Sequence, residues 1–268
     1  MAKLEFDQRP ALLLTLSDSW VMIKRSSTHI LRNRDQLLGT FMQPIMFLVL
    51  FSAVFGGAIG QTLPEGISYL NFLMAGIIVQ TLAFGATTTA FAVCNDMQKG
   101  IIDRFSSLPM SDLAVLNGHT ISDLLRNFIS TAVMLGVGLL LGFRSDAGIG
   151  EWLAIFGILL LFTFAFSWLS AIVGLYAGTI ESVQWLTFLI IFPLTFASTA
   201  FVPGESMTPF LRAFAENQPI THVVEAVRSL MLGTPAGDHI LLSIIWSIVI
   251  LVVSMPVAAW LYRKKISS

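Results

Sequence analysis

Charge is what this sequence has least of. Only 12% of its 268 residues are Asp, Glu, Lys or Arg, against 55% hydrophobic, and the mean hydropathy is +0.80. A soluble domain of this size cannot hide that much apolar surface, so the composition calls for a bilayer. Cysteine is nearly absent: Cys94 is single, which excludes an intrachain disulfide and a cysteine metal cluster and leaves a small, packed apolar side chain. No G-x-x-x-x-G-K-[ST] phosphate loop occurs, so the chain does not cradle a nucleotide in that manner. No serine-elbow or H-E-x-x-H element supports an intramembrane hydrolase. Gly136, Gly138 and Gly142 lack the spacing and the preceding strand of a dinucleotide fingerprint. His222 and Glu225 stand one helical turn apart with no second ligand cluster, which reads as a solvated helix face with no metal site. The net charge of -1 gives no electrostatic footprint for nucleic acid, and no such partner is expected.

What is present is a set of long apolar runs. A helical span takes roughly 20 such residues to cross about 30 Å of hydrocarbon. Six runs qualify, at 37–59, 69–94, 121–142, 152–176, 185–202 and 240–262. The fold expected is all-α: a polytopic membrane protein with a six-helix transmembrane domain over 37–262. A cytoplasmic segment over 1–36 precedes it and a tail over 263–268 follows. No cleavable signal is expected, because the first apolar run starts only near Leu37, after several basic residues, with no small-x-small cleavage pattern.

Basic residues choose the sidedness. With the N-terminus inside, Lys3, Arg9, Lys24, Arg25, Arg32, Arg34, Lys99, Arg104, Arg126, Arg263, Lys264 and Lys265 fall on the cytoplasmic side or its interface. Only Arg144, Arg212 and Arg228 fall outside. Both termini are therefore expected in the cytoplasm. Ahead of the first span, Leu12, Leu16, Trp20, Ile23 and Ile30 or Leu31 recur at helical spacing, which predicts an amphipathic helix along the inner leaflet, with Lys24, Arg25, Arg32 and Arg34 toward anionic headgroups.

The outer connections at 60–68 and 143–151 are short, but 203–239 is too long and too apolar for a plain loop. Pro219 ahead of Thr221 as N-cap, the stripe Val223, Val224, Val227, Leu230 and Met231, and the stop at Gly233 and Pro235 predict a short helix. A second is expected over 207–214, and both suit outer-leaflet or re-entrant positions. Small-residue pairs at Gly56 and Gly60, Gly138 and Gly142, and Gly174 and Gly178 suit close helix packing. Pro44, Pro193 and Pro256 are expected to kink their spans.

Ionisable groups are scarce inside the spans. Asp123 and Arg126, a turn apart near the start of the third span, read as a local pair with the arginine snorkelling outward. Carriers driven by an ion gradient place such groups at mid-membrane, so the energy is expected from elsewhere. Among neutral polar residues, Gln43 and the face formed by Thr195, Ser198 and Thr199 are candidates either for a transport path or for hydrogen bonds between helices.

Between the second and third spans lies a charged, Pro-punctuated interval at 95–117, NDMQKGIIDRFSSLPMSDLAVLN. Together with RNRDQLLGTFMQPIMFLVLFSAVFGG at 32–57, KGIIDRFSSLPMS at 99–111 and FVPGESMTPFLRAFAENQPITHVVEAVRSL at 201–230, it carries a resemblance over nearly the whole chain. The sequence resembles the ABC-2-type permeases, and within them is similar to the drug-efflux permeases of daunorubicin and doxorubicin resistance.

The resemblance implies six spans per subunit, a dimer of permease subunits, homomeric or heteromeric, and two separate cytoplasmic ATP-binding subunits. ATP and Mg would be bound by those partners, with no cofactor in this chain. It makes 95–117 the coupling loop, with Asp96, Gly100, Ile101, Ile102, Arg104, Phe105, Leu108 and Pro109 as contacts. Relatives often carry a basic residue where Ser106 stands here, a departure that points to a different ATPase partner. The resemblance further implies a path along the first, second and fifth spans, with Gln43, Thr195, Ser198 and Thr199 lining it, and an outer gate shaped by Phe201, Pro203, Glu205 and Pro219. The function expected is export of a hydrophobic or amphipathic drug-like or lipid-like compound across a bacterial inner membrane. Alternatives are an exporter of lipid-linked glycan or lipid on the same fold and, as a different class, a membrane enzyme or sensor.

Overall fold

The computed structural model describes residues 34–64, 66–101 and 114–266, and among them the chain is helical throughout, with no strand. The helices are α1 Arg34–Gly60, α2 Tyr69–Gln98, α3 Ala114–Leu141, α4 Ile149–Tyr176, α5 Ile180–Phe196, α6 Pro209–Glu216, α7 Pro219–Leu232 and α8 His239–Ile266, with a 3-10 turn at Gly204–Ser206 ahead of α6. The amphipathic helix expected over 12–31 lies outside the described residues.

Five of these helices, α1 to α4 and α8, are long and apolar enough to cross a membrane. The protein is a multi-pass membrane protein. The sixth expected span differs. At 17 residues, α5 rises about 26 Å at 1.5 Å per residue, short of a full crossing. It ends at Phe196, three residues past the internal Pro193, with Ala197 as its cap, and Ser198 turns its hydroxyl back onto the Thr195 carbonyl at 2.5 Å. The chain then folds inward toward α7, where a straight span to 202 was expected.

Local chemistry sets the helix starts. Ser68 accepts from the Asn71 amide and Thr179 from the Ser182 amide, each satisfying a donor that a helix N-terminus leaves open. For α7 the cap is Gln218, whose side-chain oxygen accepts from Ile220, with Pro219 in the first turn. The expected cap, Thr221, sits inside the helix and accepts from the Thr199 amide at 3.3 Å. Gly233, with φ of 65°, closes α7 in the left-handed conformation that glycine adopts without strain. Arg263, Lys264 and Lys265 occupy the last turn of α8, where cations suit the carbonyl end of the dipole.

Burial ranks the helices. The apolar windows of α2 and α4 are 78% and 67% buried, those of α1 and α8 only 11% and 17%. Helix α2 is the centre post, packed by α1, α3, α4, α5 and α7. Close approaches need missing side chains: a Cβ on Gly174 of α4 would stand 2.5 Å from the Ala90 carbonyl oxygen of α2, and one on Gly76 would strike the Ala200 backbone. The small-residue pair at Gly56 and Gly60 meets nothing within 4 Å.

Candidate functional site

The polar and expected functional residues fall into a loop base, a buried polar node and a helical hairpin, with an aromatic seam between α1, α5 and Phe201. At the loop base, α2 runs on to Gln98 and α3 starts at Ala114, so the intervening segment is shorter than the expected 95–117. Asp96 is therefore not a loop residue. It is buried in the last turn of α2, and its Oδ2 pairs with Nε2 of His119 on α3 at 3.0 Å. Gly100 takes a φ of 63° directly after the helix, and half-buried Ile101 follows. Ile102, Arg104, Phe105, Leu108 and Pro109 lie outside the described residues. Gln98 donates to the Gly178 carbonyl at 3.1 Å and the Cys94 thiol to that of Ala177 at 3.6 Å, tying the start of α5 to the same end of α2.

Deeper in the bundle the expectation for Arg126 fails. It does not snorkel outward: Arg126 and Asp123 are each 2% exposed. Arg126 pairs with Asp123 and donates to the Gly85 carbonyl of α2 at 2.6 Å. Asp123 further accepts from Thr88 of α2 at 2.9 Å, Ser167 of α4 at 2.6 Å and Asn127 at 3.3 Å. Removing two charges from water costs on the order of several kcal/mol per ion, which is offset only when the remaining hydrogen-bonding positions are filled. Donors from three helices fill those of Asp123. Gly85 makes the room, since a Cβ there would collide with the Asn127 amide oxygen.

The opposite end holds the hairpin. Arg228, expected at the outer surface as a topological charge, is 5% exposed on α7. Its guanidinium donates to the carbonyls of Phe72 at 3.0 Å and Thr199 at 2.8 Å, and to Glu225 at 2.5 Å, and it lies 3.6 Å above the Phe72 ring. The planar fork of arginine suits several acceptors at once. Gln218 donates to the Leu194 carbonyl at 2.8 Å, and Ser145 to that of Met231 at 2.8 Å. Helix α7 is thereby anchored to α2, to the end of α5 and to the α3–α4 turn. Nor is the face of His222 solvated: it is 6% exposed, with Nδ1 at 3.1 Å from Nδ1 of His239. Burial, and then the neighbouring imidazole, push its pKa down.

Of the expected gate residues, Phe201 is buried, Pro203 precedes the 3-10 turn, Glu205 stands exposed within it and Pro219 opens α7. Thr195, Ser198 and Thr199 are buried. The Thr195 hydroxyl donates to the Ile191 carbonyl of its own helix at 2.8 Å, and the Thr199 backbone meets Thr221. Thr195 and Ser198 are thus joined by a hydrogen bond within the protein, whereas Gln43 is exposed on α1.

Phenylalanines join α1 and α5 instead. Phe188 stacks on Phe192, Phe192 on Phe196 at 4.3 Å, Phe196 on Phe201 at 4.9 Å, Phe201 on Phe51 at 4.8 Å and Phe51 on Phe55, while Phe47 meets Phe51 and Phe196 edge-on. Phe55, Phe188 and Phe192 remain exposed at its edge. The signal was in the sequence: Phe47, Phe51 and Phe55, and Phe188, Phe192 and Phe196, each recur every fourth residue and so share a helix face.

Five long apolar helices, a polar connection between the second and third, and a short helical hairpin before the last agree with a family match. The family model for ABC-2 type transporters matches residues 18–232. The chain belongs to the ABC-2 type transporter family. It is 32% identical over 258 residues, covering 96% of this chain and 90% of the relative, to the daunorubicin resistance ABC transporter permease protein DrrB1 of Streptomyces coeruleorubidus. It is 25% identical over 254 residues, 94% of this chain and 90% of the relative, to the "Probable doxorubicin resistance ABC transporter permease protein DrrC" of Mycobacterium tuberculosis. Nodulation protein J of Neorhizobium galegae is 25% identical over 75% of this chain and 76% of its own length. As an ABC-2 permease the chain is the membrane part of a transporter.

Proposed function

We propose that this ABC-2 permease is the membrane subunit of an ATP-driven exporter that moves a hydrophobic or amphipathic drug-like or lipid-like compound out across a bacterial inner membrane. The observation that carries the reading is the similarity to a daunorubicin resistance permease along 96% of the chain. The permease performs no covalent chemistry. Two cytoplasmic ATP-binding subunits, which bind ATP and Mg, dock at the segment between α2 and α3, so that Gly100, Ile101, Ile102, Arg104, Phe105, Leu108 and Pro109 meet them while Asp96 holds the loop base. Both termini lie in the cytoplasm, and the α6–α7 hairpin with Phe201, Pro203, Glu205 and Pro219 forms the outer gate.

A second permease subunit sits against the exposed side of α1 and α5, enclosing the path between the two copies. Support for that placement comes from the apolar surface there, including Met42, Met46, Leu50, Trp185 and Leu189, each at least half exposed, with Gln43 among them. The rings of Phe55, Phe188 and Phe192 offer an apolar, polarisable track for an aromatic or acyl cargo. Export is tested by drug accumulation in cells. Cells expressing the permease with its ATP-binding partner are expected to hold less daunorubicin than cells whose partner cannot hydrolyse ATP. Equal accumulation of daunorubicin and of a panel of apolar cations and lipid probes contradicts the reading.

A further inference from the structure

The seam between α2 and α3 is polar along one face only. His119, Asp123 and Arg126 follow one another at spacings of four and three on α3, and Gly85, Thr88 and Asp96 stand at three and eight on α2, so each set shares one side of its helix. The two sides meet at two levels: Asp96 with His119 at the loop base, then Asp123 and Arg126 with Thr88 and Gly85. Asp123 lies nine residues after the start of α3, about 14 Å along the helix at 1.5 Å per residue. Ser167 adds α4 at that second level.

Holding three apolar helices together does not require charge. A buried ion pair is often replaceable by apolar side chains of similar size without loss of stability. What it adds is direction: hydrogen bonds at fixed lengths to a carboxylate specify the rotation and register of three helices beyond what their apolar packing fixes. The described part of α1, by contrast, meets α5 edge-on at Phe47 and Phe196 and through Phe201 stacked between Phe51 and Phe196, contacts that tolerate offset.

We propose that Asp123 is a positioning residue for energy coupling, locking α2, α3 and α4 into one rigid body that carries the displacement of the 99–113 loop toward the far side of the membrane. The proposal rests on the exporter reading, in which that loop receives the stroke of the ATP-binding subunits. It assigns no proton or substrate to Asp123.

The test uses the permease co-expressed with its ATP-binding subunits. Asp123→Asn leaves Arg126 buried without its partner and is expected to fold poorly, so the informative variants are Ser167→Ala, which removes one bond, and Asp123→Leu with Arg126→Met, which removes both charges. In complexes that assemble, ATP hydrolysis is expected to persist while transport per ATP falls about tenfold in the double variant and about threefold in Ser167→Ala, the range of coupling effects seen for residues that touch no ligand. A second readout needs no transport: spin labels at Asn71 on α2 and Trp152 on α4 give a narrow distance distribution in the parent protein and a broad one in the double variant. If the parent protein exports nothing, the exporter reading fails, and the label distances still decide the rigid body. Equally narrow distributions, or full transport per ATP in the double variant, overturn the proposal.

Discussion

Arg228 of α7 donates to the main-chain carbonyl of Phe72 on α2 at 3.0 Å, and its guanidinium lies 3.6 Å above the ring of that same residue. One side chain thus fixes α7 to the centre post through a hydrogen bond and a cation–π contact. Replacing Arg228 by Ala removes its bonds to the Phe72 and Thr199 carbonyls and to the partly exposed Glu225, a loss of about 1.5–3 kcal/mol on the scale of a hydrogen bond to a charged group. Lysine keeps the charge but not the fork, so Arg228→Lys is expected to lie between. Thermal unfolding of the detergent-purified variants checks the order, and equal melting of all three proteins rejects it.

Coupling at the loop should depend on its anchors more than on its base. Interface hot spots favour arginine and aromatic residues, so Arg104→Ala or Phe105→Ala is expected to lower recovery of the ATP-binding subunit with the tagged permease about tenfold, or more than 1 kcal/mol. Asp96→Asn, which touches the base through His119, should leave recovery higher than either. Undiminished recovery and transport in the two anchor variants would place the docking surface elsewhere.

Sidedness is open to direct labelling. In a Cys94→Ser background, Ser106→Cys is expected to resist an impermeant thiol reagent in intact cells, whereas Ala147→Cys in the α3–α4 turn reacts. Reversal of that pattern inverts the topology.

The imidazole pair links α7 to α8. Because burial lowers the pKa of His222 in the folded protein, the unfolded chain takes up its proton first. The stability that depends on the neutral form is complete above the ordinary histidine value of about 6.5 and is lost as the pH falls through the lower folded value. Melting temperature should drop on acidification from pH 7.5 toward 5, and less steeply in His222→Asn. Parallel pH profiles for the two proteins would exclude the pair as the cause.

The sequence reading succeeded where one helix could be considered alone. Five of the six apolar runs, the stop at Gly233 and the packed Cys94 each depend on local pattern, and the structure agrees with them; the run at 185–202 does not form a full span, because its helix stops at Phe196. Readings that depended on the neighbouring helix went astray. Asp123 and Arg126 give a plain three-residue spacing, but the partners that hold the pair inward, Thr88, the Gly85 carbonyl and Ser167, stand on other helices. Arg228 and His222 sit on an amphipathic helix that suits a surface equally well, until α2 and the end of α5 close over it. Thr195 looked available to a cargo because its pattern does not reveal that its hydroxyl bonds back to Ile191. The phenylalanine spacing on α1 and α5 was legible, but the stacking that makes one seam of it is tertiary.

The central claim, ATP-driven export by this permease, is tested most directly in inverted membrane vesicles containing the permease and its ATP-binding partner, by following uptake of fluorescent daunorubicin after ATP is added. The account predicts uptake that needs hydrolysable ATP, and that falls in Phe188→Ala and Phe192→Ala at unchanged membrane abundance, since both rings are exposed at the seam. Uptake that proceeds without ATP, or that collapses when the proton gradient is dissipated while ATP is present, would contradict it.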